Sequence, residues 1–454
     1  MTRKTNRKRK KKSASKSPAP ATKMNPDAAG IDLGATVHYV AVPADRDPQP
    51  VRHFGTLTED LQALADWLGA CEITTVAMEA TGVYWIPLFQ ILEGRGFEVC
   101  LVNARHVKNV PGRKSDVQDC QWLQYLHSVG LLNASFRPPA AICAVRSLMR
   151  HRESLMRTSC DHLLRVQKAL DQMNVQLHHA VTDITGVTGL AILDAIVAGE
   201  RDARVLAGHR DPRCKKSQAQ IAKALLGDWR EEHLFTLCQS LKAWRFHQQL
   251  MGECEQQIDK HMGSLEDRSD GPPPPSVKKS IKPPEQPMRQ HLFSKFGVDL
   301  TAVEGVSIQT SLAFLAEVGT DVGKFATAEH FASWLGLCPD NRITGGRTHA
   351  AHTRKVSNRL ATALRMAAQS FHRSKSSLGD WFRRIRAKLG TKAAVTAAAH
   401  KLARILYAMV KHRTPFDPDR IGNPEQARAR KERFLRRQAE QLGFALTPVE
   451  GEVS

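Results

Sequence analysis

Around residue 139 the hydrophobic period of the chain changes, and that change limits the fold more than any single motif does. From Asp27 to about Pro139, short strand-like runs ("HYVAV", "TTVAME", "FEVCLV") alternate with segments of helical period ("LQALADWL", "WIPLFQIL", "DVQDCQWLQYL"). Alternation of this kind places strands in a sheet and helices on its faces, so residues 27–139 are expected to form one α/β domain. Beyond it, Leu163, Val166, Leu170, Met173 and Leu177 step by three and four alternately, as do Leu234, Leu237, Leu241, Trp244, Gln248, Met251, Glu255, Ile258, Met262 and Leu265. That spacing predicts two long helices paired as an antiparallel coiled-coil arm over 140–268, with a helical insertion at about 183–230. The fold class is therefore α/β plus all-α.

Prolines and charge mark the remaining boundaries. "SDGPPPPSVKKSIKPPEQP" (269–287) stiffens the chain and breaks helices, which makes it a linker. A helical domain is expected over 288–418, and a charged helix and tail over 419–454. Residues 1–26 are basic and rich in Ser, Pro and Ala, too poor in apolar groups to offset the entropy of ordering; they are expected to be a disordered tail. A formal net charge of +21 over 454 residues attracts polyanions, DNA or RNA before small acidic substrates. No apolar run is long enough to span a bilayer, and the basic start lacks the apolar stretch of a secretory signal, so the expected location is cytoplasmic. The nine cysteines are spread singly without metal-finger spacing and read as reduced thiols.

Four carboxylates carry the chemistry. Asp32 lies in "GIDLGATVHYVAV" and projects from the first strand, and Glu79 ends the second buried run, "VAMEATG". In "GRKSDVQD", Asp116 and Asp119 stand three apart at a helix start and share one face, beside Arg113 and Lys114. An acid in that position is commonly a helix cap. Gathered together, four such acids repel one another unless cations lie between them, and hard oxygen donors suit Mg²⁺ or Mn²⁺.

The distal domain holds further candidates. "LTAVEGVSIQTSLAFLAEVG" (300–319) reads as two helices joined at a glycine, similar to a helix-hairpin-helix that offers N–H groups to phosphates. The polar loop "DNRITGGRTHAAHTRK" carries Thr344, Gly345, Gly346, Arg347, Arg354 and Lys355, and its glycines let it follow a nucleic-acid backbone closely. Further on, "KSSLGDWFRRIRAKLG" reads as a basic amphipathic helix ahead of an Ala-rich packed one.

"GIDLGAT", "MEATGVYWIPLFQILEGRGFEV", "VNARHVKNVPGRKSDVQDCQWLQYLHSVGLL" and "FASWLGLCPDNRITGGRT" together resemble the DEDD transposases of bacterial insertion sequences, a group that includes bridge-RNA-guided recombinases. The resemblance implies an RNase H-like, mixed-sheet N-terminal domain in which Asp32, Glu79, Asp116 and Asp119 hold Mg²⁺ (or Mn²⁺), and a C-terminal transposase domain. It implies DNA excision and insertion directed by a structured guide RNA, in a homodimer that forms a tetramer on nucleic acid. It also implies a nucleophilic hydroxyl just before the paired glycines. The family typically has serine there and this chain has Thr344, whose extra methyl hinders attack and restricts its rotamers. Two alternatives stay open: a catalytically weakened nucleic-acid-binding remnant, and a resolvase-like nuclease that uses water.

Overall fold

Three small residues, then Ile31, Asp32 and Leu33, make up Ala28–Leu33, and this nearly fully buried strand, β1, sits in the middle of a five-stranded sheet. The computed structural model describes residues 23–80, 82–103, 115–269, 271–275, 286–345, 347–354, 358–418 and 424–445. Most of the expected basic tail, and Arg113, Lys114, Gly346 and Lys355, lie outside the described residues. The chain divides into two compact units, Met1–Arg137 and Pro138–Ser454.

In the first unit β1 pairs antiparallel with β2 (Val37–Ala41), which pairs antiparallel with β3 (Val51–Gly55). On its other side β1 runs parallel to β4 (Thr75–Glu79), and β4 runs parallel to β5 (Glu98–Val102), giving the order β3-β2-β1-β4-β5. This mixed sheet with its helices fits an RNase H-like α/β unit. Period-two alternation sorts the side chains. Ala29, Ile31 and Leu33 of β1 join Val76, Met78 and Leu101 in a core closed by α1 (Thr58–Ala70) and α2 (Trp85–Gly94) through Leu61, Leu64, Leu68, Leu88 and Leu92. Each of these large side chains, once fully buried, contributes about 1.5–3 kcal/mol. The opposite face presents Ala77, Cys100 and Val102 to Leu123 of α3 (Asp116–Ser128). Strand β3, "VRHFG", was not foreseen from the sequence; it is a half-buried edge strand whose Arg and His blur the alternation.

In the second unit two 33-residue helices, α4 (Ala140–Gln172) and α9 (Glu231–Gly263), pack along each other. Residues early in α4 meet residues late in α9, and the contact moves back along α9 further down α4, so the pair is antiparallel. Cys254 Sγ donates to Leu148 O (3.2 Å), Arg152 Nε donates to Glu255 Oε1 (2.7 Å), and Gln248 Nε2 donates to Ser159 Oγ (3.0 Å). Between them α5 (Leu177–Ala180), α6 (Val187–Val197), α7 (Ala203–Gly208) and α8 (Gln218–Ala224) bury Ile192, Leu193, Ile196, Leu206 and Ile221 against Val166, Leu170, Leu237 and Leu241. The insertion is thus a small helical cap with its own core at one end of the arm.

The other end of the arm is tied to the C-terminal helices. Arg146 donates to the backbone carbonyls of Ala316 and Glu317, each at 2.9 Å, where α11 (Ile308–Val318) ends. Arg150 reaches the buried Glu317 carboxylate at 3.1 Å. The segment 300–319 does not form the two helices expected. It contains one 3-10 turn, Leu300–Ala302, capped by the Asp299 carboxylate on Thr301 N (2.9 Å), then a glycine at φ +79° (Gly305) and α11. Asp299 is held there by a buried ion pair with Arg289 of α10 (Gln286–Phe296), at 2.5 Å. Helix α12 (Ala328–Trp334) buries Phe331 against Phe314, Phe325 and Tyr407, whose hydroxyl donates to Phe325 O at 2.7 Å. Strands β6 (Pro339–Thr344) and β7 (Arg347–Thr353), then α13 (Arg359–Gln369), α14 (Ser377–His412) and α15 (Pro424–Gln441), complete the chain. Among the described residues no helix is long and apolar enough to cross a membrane.

Candidate active site

The face of β1 that carries Asp32 also carries Gly30 and Ala28, and all three lie under α3. Helix and strand approach so closely at Gly30 that a Cβ there would stand 2.2 Å from Gln124 N and 2.4 Å from Cys120 O. Only glycine permits that approach. Gln124 Nε2 donates to Ala28 O (3.1 Å), and nearer the helix end Thr75 Oγ1 pairs with His127 Nε2 (2.8 Å). The C-terminal part of α3 therefore covers the start of β1 and β4, and its first turn lies towards their C-terminal ends.

Those ends carry the acids. The parallel register Ile31↔Met78, carried one residue further, sets Asp32 beside Glu79 on the helix-facing side of the sheet. Asp116 and Asp119 occupy the first turn of α3. Ser115 is the N-cap, its hydroxyl accepting from Gln118 N at 3.3 Å, so neither aspartate caps the helix.

Electrostatics reports the convergence. Burial, followed by the negative charges of Asp119, Asp116 and Glu79, pushes the Asp32 carboxyl up to about 6. Burial together with Asp32 and Asp119 pushes the neighbouring Cys120 thiol up to about 12, so it stays neutral and serves as packing. Three carboxylates from two other segments of the chain thus act on Asp32 at the end of the sheet. Among the described residues, however, no group of three or more His, Cys, Asp or Glu is drawn tightly enough together to hold an ion. The donor set still fits a hard divalent cation: all four groups are carboxylates, and the repulsion that raises Asp32 is what such a cation relieves.

In the second unit Thr344 is the exposed last residue of β6. The segment expected as a loop is a β-hairpin. Thr344 pairs with Arg347, and between them Gly345 takes φ +57°, a positive value that tight hairpin turns demand and glycine supplies. Arg354 donates to Ser333 O at 2.6 Å and to Ser333 Oγ at 3.2 Å, fastening the end of the hairpin to α12.

Comparison with known proteins matches residues 29–175 to a DEDD transposase family model described as "Transposase", and residues 299–382 to the "Transposase IS116/IS110/IS902 family". Together the two segments make up just over half of the chain. The chain belongs to the DEDD transposase family of insertion sequences. The first match spans all four carboxylates of this family member, and the second spans the hairpin from Thr344 to Arg354. Curated relatives include a probable family 20 transposase of Pseudomonas aeruginosa, 32% identical over 124 residues, covering 26% of this chain and 36% of that protein. Another is an insertion element IS110 uncharacterized 43.6 kDa protein of Streptomyces coelicolor, 30% identical over 121 residues, covering 26% of this chain and 29% of that one. The chain thus spans about a third of the length of the curated relatives it matches.

Sequence reasoning missed Ser115, which caps α3, and Cys120, which packs beside Asp32. Gly30 carries a signal of its own, a glycine before an acid in an apolar run that lets backbone or ligand approach closely, but nothing in one sequence names the helix that packs on it.

Proposed function

We propose that this protein is a DNA recombinase that cuts and rejoins strands at the ends of a mobile element, with Asp32, Glu79, Asp116 and Asp119 as the metal-holding acids and Thr344 as the nucleophile. The observation that carries the proposal is the shared field at Asp32, because four acids set against one another on an RNase H-like sheet are a stability cost that cation binding offsets. When bound, Mg²⁺ or Mn²⁺ supplies Lewis-acid stabilisation to the phosphoryl oxygens. The Thr344 hydroxyl oxygen forms the new bond to phosphorus, its proton passes to solvent, and the departing 3′ oxygen leaves protonated. Arg113, Lys114, Arg347, Arg354 and Lys355 supply positive charge to the DNA backbone, and Gly345 and Gly346 let it approach. The acids and the hydroxyl lie more than two hundred residues apart, so the proposal requires the two units to meet, within one chain or between protomers. In the same reading the antiparallel helix pair acts as a coiled-coil arm in a homodimer that forms a tetramer on nucleic acid, a structured guide RNA selects the target, and the protein works in the bacterial cytoplasm on the nucleoid.

The test is covalent capture. Protein purified with its RNA is incubated with nicked suicide DNA and Mg²⁺, and wild type, Thr344→Ser and Thr344→Ala are compared on denaturing gels. Wild type and the serine variant are expected to form an adduct, with the serine faster because its hydroxyl is less hindered, and the alanine variant none. An adduct that survives in Thr344→Ala removes the nucleophile assignment. Cleavage without an adduct in any of the three supports water attack instead.

A further inference from the structure

Helix α14 is interrupted at Gly390, which takes φ +78°, ψ 169° in its middle. In a straight helix Trp381 and Lys401 would stand about 30 Å apart at 1.5 Å per residue. Instead Lys401 Nζ lies 4.7 Å from the centre of the Trp381 ring, so the chain folds back at Gly390 and the two halves form a helical hairpin. The fold-back brings Arg384 of the first half within electrostatic range of Lys401 of the second, which also carries Arg404 one turn further on. Burial, then the charges of Arg384 and Arg404, hold the Lys401 ammonium below the ordinary lysine range; burial, then Arg404, lower the neighbouring His400. One acid borders the group, Glu329, and it is paired with Arg404 at 2.8 Å. Among the described residues neither Arg384 nor Lys401 has a carboxylate partner. Lys401 is half-buried while Arg384 and Arg404 are exposed, and one carboxylate against three cations leaves the group a net positive charge that an anion seated on it balances.

We propose that Arg384, Lys401 and Arg404 form a phosphodiester-binding site, with the Trp381–Lys401 contact holding the hairpin in the geometry that gathers them. A nucleic-acid backbone suits the site better than a free phosphate, because exposed Arg386, Lys388 and Lys392 continue the positive charge to the turn, beyond the reach of one anion. The inference rests on the nucleic-acid reading of the chain only for the identity of the polyanion.

The test uses the full chain and three variants: Lys401→Met, which keeps the packing on Trp381, Lys401→Arg, which keeps the charge, and Arg384→Ala/Lys401→Met. Fluorescence anisotropy with a short labelled duplex of arbitrary sequence is repeated across a salt series. Each phosphate that is no longer neutralised is expected to lower the slope of log K against log salt by about 0.9, so the double variant falls by about two and binds at least tenfold more weakly at low salt, while Lys401→Arg binds like wild type. In parallel, inorganic pyrophosphate is expected to raise the melting temperature of wild type and not that of the double variant. An unchanged slope and affinity in the double variant overturns the site and leaves the wider function standing. Lys401→Arg binding as poorly as Lys401→Met makes the residue a packing element and also overturns it. A pyrophosphate shift absent from the double variant while duplex affinity is unchanged overturns the phosphodiester assignment in favour of a free anion. Wild type that does not bind duplex at all, yet shows the pyrophosphate shift, counts against the recombinase proposal and not against the anion site.

Discussion

Replacing Asp32 with asparagine removes one of four mutually repelling charges without changing the shape of the side chain. In the folded protein this carboxyl titrates near about 6 against an ordinary value of 3.8. A raised folded value means that the group favours folding fully below the ordinary value, and that this contribution is lost as pH rises through about 6. A rise of about two pH units at about 1.4 kcal/mol each gives roughly 3 kcal/mol lost between about pH 4 and pH 7, an upper bound because the half-buried site retains some water. For a unit of this size the loss corresponds to roughly 5–10 °C in melting temperature. Calorimetry of the full chain in EDTA is therefore expected to show wild type melting lower at about pH 7.5 than at about pH 5, with Asp32→Asn nearly flat and the more stable of the two at the higher pH. Adding Mg²⁺ at about pH 7.5 is expected to raise wild type and leave the variant where it is, because binding to the folded state alone stabilises it. If Asp32→Asn melts below wild type in EDTA at about pH 7.5, the carboxylate is held by a partner and is not repelled by neighbours, and the shared-field argument fails.

Gly30→Val drives a side chain into the backbone of α3, and is expected to cost more than about 3 kcal/mol and to abolish the Mg²⁺-dependent rise in melting temperature; a variant that keeps the rise shows that α3 does not position the acids through this close approach. Ser115→Ala removes the cap of α3 and is expected to cost about 1 kcal/mol by chemical denaturation, with Ser115→Asp restoring it. Asp299→Ala leaves Arg289 buried and unpaired, with an expected loss of about 3–5 kcal/mol from the second unit, whereas Asp194→Ala, at the exposed pair with Arg245, is expected to be near neutral in the same measurement.

What the sequence disclosed, and what it withheld, follows from the range of the interactions concerned. The strands β4 and β5 were legible as short apolar runs buried on both faces, and β2 and the helices α1, α2 and α3 by an apolar face of regular period. The four acids were legible as candidates, but their convergence depends on the β1–β4 register and on Gly30, which join residues dozens of positions apart. The hairpin at Thr344 was read as a loop because its strands, "PDNRIT" and "RTHAAHT", are polar on both faces, and only the paired glycines signal a turn. The helix expected at residue 300 starts with a cap, Asp299 on Thr301 N, but stops after one turn, because the chain becomes extended at Val303 and passes through Gly305 at φ +79°. The spacing of α4 and α9 marks two long helices with apolar seams, while their antiparallel course shows only in the contacts between them, and the insertion could be understood only once the core it shares with them was seen.

The way the arm is fastened has a mechanical outcome. Arg146 and Arg150, near the start of α4, clamp it to the close of α11, and the insertion rides at the opposite extremity, about 40 Å from Arg146 at 1.5 Å per residue. Such a boom amplifies: a tilt of roughly ten degrees at the clamp swings its far tip by about 7 Å over that length. Whatever grips the insertion therefore pulls directly on α11 and the helices packed around it.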